Sequence, residues 1–276
     1  MDRESFTTIL GRLHIDAVPI LNTNYVWIIR HADHEGAYLL DPGDAAPLKR
    51  HLTQNNLALK QIIMTHSHWD HINGLDEMLR WKKVDVIGPE CSVIPQVTTP
   101  VAEGSRFQLW NNVEVQVLHT PGHLPEHLCY YLPNGNQPVV FSGDIIFSAG
   151  CGRIFNGTHA ELYNSLQRLN ALPSHTQVCC SHDYIMDNLE FAKHVEPDNP
   201  YYQERIKSVI LRKRMGKAAI PTSIQAERLI NPFLRCGEKS IQQSVKRFSQ
   251  ESNHPLGIPT NDLEVFTLLR DWKNQF

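Results

Sequence analysis

Four side chains able to bind a metal fall within six residues, His66, His68, Asp70 and His71, in the run Thr65-His66-Ser67-His68-Trp69-Asp70-His71. Imidazole and carboxylate together suit zinc, iron or manganese, ions that support hydrolytic chemistry. His66 and His68 are two apart, so on extended chain their side chains point the same way. Asp70 and His71 follow as the chain turns and can face a second position beside the first, and Gly74 permits a tight backbone just beyond. A metal pair needs more ligands, and other strand ends supply them: His123 in Thr120-Pro121-Gly122-His123, Asp144 in Ser142-Gly143-Asp144, and His182 after a short apolar run. Taken singly, a polar residue just past a strand is commonly a turn former. Repeated at several strand ends, the pattern describes one site built along a sheet edge. His66, His68 and His123 can then hold one ion, Asp70, His71 and His182 another, and Asp144 can bridge them. Two ions so placed share a hydroxide at neutral pH, a nucleophile that needs no serine or cysteine. Asp41 reads equally as a support for a ligand histidine and as a turn former before Pro42.

Positioning such a cluster requires strands that end side by side. Short β-rich runs occur at 26–29, 37–40, 61–65, 84–88, 113–118, 129–132, 139–141 and 178–180. Helical text runs from the N-cap candidate Asp44 to residue 52 and over 160–169. Beyond about residue 185 strand signals vanish, and helical spacing appears at 202–215, near 228–230 and at 263–272. The expected organisation is an α/β (α+β) layered catalytic domain over 1–185 and a small helical domain over 186–276 that docks on it.

Composition narrows the function classes. The chain has 276 residues, 41% apolar and 20% charged, which is ordinary for a globular protein. Its formal charge of −3 argues against a nucleic-acid partner. Six cysteines form no C-x-x-C pair and read as reduced thiols. Met1-Asp2-Arg3-Glu4-Ser5 opens no signal peptide, and no run approaches the roughly 18 apolar residues of a membrane span. A cytoplasmic monomer acting on a small molecule, without membrane contact, is expected.

These residues resemble the metallo-β-lactamase superfamily, and within it the glyoxalase II group, the hydroxyacylglutathione hydrolases. The likeness rests on Thr65 through His71 with Gly74, the Thr120–His123 turn and Ser142-Gly143-Asp144. More specific are Phe147-Ser148-Ala149-Gly150-Cys151-Gly152-Arg153, Ser181-His182-Asp183-Tyr184, Asn188-Leu189-Glu190-Phe191-Ala192 and Asn231-Pro232-Phe233-Leu234-Arg235. The resemblance implies a four-layer αββα sandwich with a C-terminal helical domain that binds glutathione. It implies two divalent ions, zinc in the first place with iron or manganese as alternatives. The implied reaction is hydrolysis of S-D-lactoylglutathione to D-lactate and glutathione by a metal-bridging hydroxide that Asp70 orients, in methylglyoxal detoxification. Arg153, Tyr184, Arg235 and Lys239 match its glutathione contacts, the arginines and the lysine as cations able to pair with carboxylates. The basic stretch Arg205, Lys207, Arg212, Lys213, Arg214 and Lys217 reads first as a solvated face. Three positions depart from the family pattern: Leu124-Pro125-Glu126 beside the third histidine, Asp183 for a glutamate, and Phe155 for a tyrosine. The alternatives are a glutathione persulfide dioxygenase with one iron, another hydrolase of the same fold, and a non-catalytic metal- or nucleic-acid-binding module.

Overall fold

The computed structural model describes residues 3–215 and 217–276; Met1 and Asp2, where the leader reading begins, lie outside the described residues. The first sheet runs in chain order: β1 (Phe6–Leu10), β2 (Leu13–Ile20), β3 (Asn24–His31), β4 (His34–Leu40), β5 (Leu59–Ile63), β6 (Asp85–Gly88) and β7 (Thr99–Pro100). Its first four strands pair antiparallel and the rest parallel. Parallel pairing needs crossovers, and α1 (Ala45–Gln54) makes one, its first turn capped by Asp44. The short α2 (Trp69–Ile72) and α3 (Leu75–Trp81) make the next.

The second sheet contains β8 (Arg106–Leu109), β9 (Val113–His119), β10 (Leu128–Leu132) and β11 (Val139–Gly143). The chain then forms a small separate hairpin, β12 (Ile146–Phe147) and β13 (Gly150–Cys151), before α4 (His159–Asn170). β14 (Gln177–Cys180) joins β11 in parallel, and β15 (Thr222–Ser223) closes that edge. The remaining helices are α5 (Ile185–Val195), α6 (Pro200–Arg214), α7 (Ile224–Ile230), α8 (Lys239–Glu251) and α9 (Asp262–Gln275).

Side-chain alternation along the strands builds the layers. Ile29, Ile63, Tyr130 and Phe141 meet between the two sheets. Their neighbours Ile28 and Ile62 face outward onto Leu48 and Met78 of the helices, while Tyr131 and Val140 face outward onto Leu162 and Phe266. The result is the expected αββα arrangement, with helices also following β14.

Three details differ from the sequence expectation. β1 carries the adjacent Thr7 and Thr8, and β2 the interleaved His14 and Asp16, which dilutes their apolar signal. In α8 a single stripe, Ile241, Val245 and Ser249, is buried, so its periodicity is thin. Strands also do not stop near residue 185, since β15 returns to the edge of the second sheet. Among the described residues no helix is long and apolar enough to cross a membrane.

A buried carboxylate on β2 makes a pH prediction. Asp16 accepts from Thr7 Oγ1 (2.7 Å) and from Arg30 Nε (2.7 Å) and Nη2 (2.6 Å), and lies 3.1 Å from His51 Nε2. Burial opposes its ionisation, but His51, Arg30 and Thr7 outweigh it and bring the carboxyl down to about 2. A lowered folded-state value means a stabilisation fully present above the unfolded value of 3.8 and lost as the pH falls through about 2. The difference in unfolding free energy between the natural chain and D16N should therefore shrink between pH 4 and pH 2. A difference flat over that window would show that Asp16 titrates alike in both states.

Candidate metal centre

The strand ends converge as their parallel alignment requires. β5 delivers Thr65 through His68, and α2, begun at Trp69, carries Asp70 and His71 inward. His123 follows β9, Asp144 follows β11 and His182 follows β14. Where β3 begins, Asn24 makes a lone bridge to His182, closing the two sheets at this end.

Two groups of donor atoms result, each within 4.8 Å of one another: His66, His68, His123 and Asp144, and Asp70, His71 and His182. The Asp144 carboxylate stands between them. Its oxygens lie 3.4 Å from His71 Nε2, 3.5 Å from His123 Nε2 and 3.4 Å from His182 Nε2. Asp70 Oδ2 lies 3.4 Å from His182 Nε2 and 3.8 Å from His71 Nε2. His68 Nδ1 faces His123 Nε2 at 2.8 Å.

The far nitrogens of these rings are engaged. His66 Nδ1 meets Thr65 Oγ1 (2.8 Å), His71 Nδ1 meets Asp41 Oδ2 (3.1 Å), His123 Nδ1 meets the Arg153 carbonyl (2.7 Å) and His182 Nδ1 meets Thr23 Oγ1 (3.0 Å). Such partners set the ring orientation and leave Nε2 free for a cation. Asp41 also accepts from Thr65 N and Oγ1, so it supports rings rather than turning the chain alone. The third donor group, Asp41, His66 and His71, is this support.

The donor chemistry fits a bound cation. His66 Nε2, His71 Nε2 and Asp144 Oδ1 are buried without a hydrogen-bond partner, which is costly for groups that have nothing to bind. Burial keeps His66 well below the ordinary imidazole range, with His71 and His127 adding to it. For Asp144 burial works against ionisation, yet His182 and His71 hold it well below the ordinary carboxylate value. At Asp70 burial is likewise outweighed, by His182, His71 and Asn24, and the carboxyl falls to about 2. Two ionised carboxylates among imidazoles make a donor set suited to a divalent cation.

The cluster opens into a cleft of about 660 Å³. Arg153 and Tyr184 line it, Tyr184 stacked on His182 with ring centroids 4.7 Å apart. Arg235 and Lys239 are not among the residues that line it. The Arg235 guanidinium is paired with Glu196 through both terminal nitrogens and also donates to the Leu229 carbonyl. Lys239 starts α8 and borders a separate depression with Gln242, Lys246 and Asp262. The cations at the cleft beside Arg153 are Arg270 and Lys273, one turn apart on α9. Arg270 donates to the carbonyls of Cys151 (3.1 Å) and Gly152 (3.3 Å), and Lys273 to that of Asp187 (3.0 Å). An arginine next to Leu268 and Leu269 on a packed helix face was the readable signal.

The three departures take definite places. Leu124 is buried, and Glu126 accepts from Ser67 Oγ at 2.5 Å, bracing the segment between His66 and His68 instead of walling the cleft. Asp183 faces Lys213 at 3.6 Å. Phe155 sits edge-on over His68 and His123 at 4.7 and 5.3 Å, 58% exposed at the cleft mouth. Sequence reasoning also missed His127, whose Nε2 accepts the Asp144 amide (3.1 Å), and Asn24, which donates to Asp70 (2.7 Å).

Residues 20–90 and 91–182 match the family described as metallo-beta-lactamase superfamily, and residues 183–276 match that described as hydroxyacylglutathione hydrolase C-terminus. A hydroxyacylglutathione hydrolase of Saccharophagus degradans is 43% identical over 274 residues, covering 95% of this chain and 96% of that protein. One from Aliivibrio salmonicida is 42% identical over 96% of this chain and all of that protein. Among solved structures, the BLEG-1 B3 metallo-beta-lactamase superposes with a TM-score of 0.60 at 22% identity, covering 80% of this chain and 99% of that one, a likeness of fold.

Proposed function

This chain belongs to the hydroxyacylglutathione hydrolases of the metallo-β-lactamase superfamily, and we propose that it hydrolyses 2-hydroxyacylglutathione thioesters, S-D-lactoylglutathione first, to the hydroxy acid and glutathione. The observation that carries the reading is the meeting of a buried imidazole–carboxylate cluster, in which His66 Nε2, His71 Nε2 and Asp144 Oδ1 have no hydrogen-bond partner, with a cleft whose wall holds Arg153, Arg270 and Lys273. His66, His68, His123 and Asp144 would hold one divalent ion, and Asp70, His71, His182 and Asp144 the other. The donor set suits zinc, with iron or manganese also accommodated. When bound, the ions supply Lewis acidity toward a carbonyl oxygen and a water acidified to near neutrality.

The chain's own residues do the rest. Asn24 fixes one Asp70 oxygen by donating its amide hydrogen, so the carboxylate is oriented to accept a hydrogen bond from the attacking water. The second-line contacts from Thr23, Thr65, Asp41 and Arg153 hold the imidazoles without reorganisation during reaction. Phe155 and Trp69, exposed at the cleft, keep water from the acyl end. Arg153 and Lys273 pair with the peptide carboxylates, and Tyr184 packs beside them. A thiolate leaves readily, so no strong general acid is required of the chain. We further place the protein in the cytoplasm as a monomer within methylglyoxal detoxification, in keeping with its six unpaired cysteines.

The test is an assay of S-D-lactoylglutathione beside a thioester lacking glutathione, with metal content measured on the same sample. Selective cleavage of the first by protein holding two ions is expected; equal rates on both would contradict the assignment of the cleft. Lys273→Ala should raise KM about tenfold with kcat little changed, the signature of a lost charged contact. Lys239→Ala should change neither. The reverse pattern would return the substrate to the depression beside α8.

A further inference from the structure

The β12–β13 hairpin is gripped from the helical part of the chain by a buried carboxylate that the reaction above does not use. Glu227, on α7, has no exposed surface. Its Oε2 accepts from the Ala149 amide (2.7 Å) and Asn231 Nδ2 (3.1 Å), and its Oε1 from Ser148 Oγ (3.1 Å) and Thr222 Oγ1 (2.7 Å). Asn231 also donates to the carbonyls of Phe147 (3.3 Å) and Gly150 (2.9 Å), and Asn188 to that of Ser148 (3.1 Å). The hairpin tip thus has its polar groups held by side chains from α5, α7 and the residue after α7. Burying a carboxylate is unfavourable unless its lone pairs are filled; four donors fill these.

Three features tie this grip to the metal centre. At the tip, Ala149 is fully buried with φ of +58°, a left-handed conformation that costs a non-glycine residue energy and persists only where surroundings impose it. Beyond the tip, the same strand leads to Gly152 and Arg153. The Arg153 carbonyl orients His123, and a side-chain carbon at Gly152 would lie 2.0 Å from the Asp144 carbonyl oxygen. Before the tip, the Phe147 ring stands edge-on to His182 (5.7 Å) and Tyr184 (5.3 Å). A shift of the tip is therefore delivered to His123, Asp144 and His182 together.

We propose that Glu227 is a positioning residue: by fixing Ser148 and Ala149 it sets the hairpin that aligns His123 and backs His182, so the helical part of the chain determines how tightly the cluster holds its ions. This rests on the reading of His123, Asp144 and His182 as metal ligands, and not on the identity of the substrate.

The test compares metal-loaded natural protein with E227A, E227Q and the control V245A, a truncation in the buried stripe of α8 with no polar link to the hairpin. Each is held well below its unfolding temperature, and release of metal to a competing chelator is followed alongside kcat. E227A should release metal about tenfold faster and lose kcat in proportion, the low end of the range for direct partners of metal ligands because Glu227 acts through the hairpin. E227Q should stay within about threefold of the natural protein, because its amide oxygen can face Ala149 and Asn231 while its NH2 donates to hydroxyls that turn to accept. V245A should lower the unfolding temperature while leaving metal release within about twofold. Natural metal release in E227A, equal loss in V245A, or an E227Q as defective as E227A would each overturn the proposal. If E227A does not accumulate, T222V and S148A each delete one donor, and intermediate acceleration is expected of both; none would count against the idea. Faster metal release in E227A from a protein that cleaves no glutathione thioester would leave this inference standing and sink the functional reading alone.

Discussion

Asp144→Ala should lose bound metal and lower turnover by about a thousandfold or more, beyond the 10- to 100-fold common for an outer partner of a ligand. The size follows from its place. Asp144 is 6% exposed, and its two oxygens are the groups that approach His71, His123 and His182 together. Alanine leaves those imidazoles facing one another in a buried space, with Asp70 and, behind His71, Asp41 as the carboxylates that remain. Two effects then act in one direction: the shared ligand is gone, and positive charge near the remaining histidines is less compensated. Metal content by mass spectrometry and kcat on the same preparation check this. A variant that keeps two ions per chain and most of its turnover would remove Asp144 from the bridging position.

Gly152→Ala should be nearly as damaging, though it removes no ligand. An added side-chain carbon would stand 2.0 Å from the Asp144 carbonyl oxygen and 3.1 Å from His123 Nδ1. The first distance is far inside contact and involves backbone, which cannot swing away as a side-chain tip could. The hairpin or the Asp144 turn must move, and either motion separates His123 from the Arg153 carbonyl or Asp144 from His127. We expect at least a hundredfold loss of activity and faster loss of metal, with a few kcal/mol of stability, in line with overpacking against a rigid neighbour. Thermal unfolding read beside metal content separates the parts. An alanine variant with the natural rate would show that the backbone here relaxes at little cost.

The cluster was legible before any coordinates because metal chemistry is local in sequence. His66, His68, Asp70 and His71 announce themselves by residue type and spacing, and parallel strands must end near one another, which recruits His123, Asp144 and His182. The layered fold followed from the same strands. Less legible were β1 and β2, whose apolar residues are interrupted by polar ones, α8, whose buried face is a single stripe, and β15, two residues long, which forms only because the edge of β14 is there to pair with.

Residue type and spacing thus pointed to the donors and the layers, and the family resemblance to cations for a peptide carboxylate. Tertiary structure decided which cations face the cleft. Arg235 and Arg270 both follow apolar helical text, and a sequence does not say that Glu196 occupies the first while Cys151 and Gly152 draw the second to the cleft wall. It also decided that Glu126 braces Ser67 and that Glu227 grips the hairpin. These are pairings across 59 and 78 positions of chain, settled by packing between elements whose separation no local pattern records.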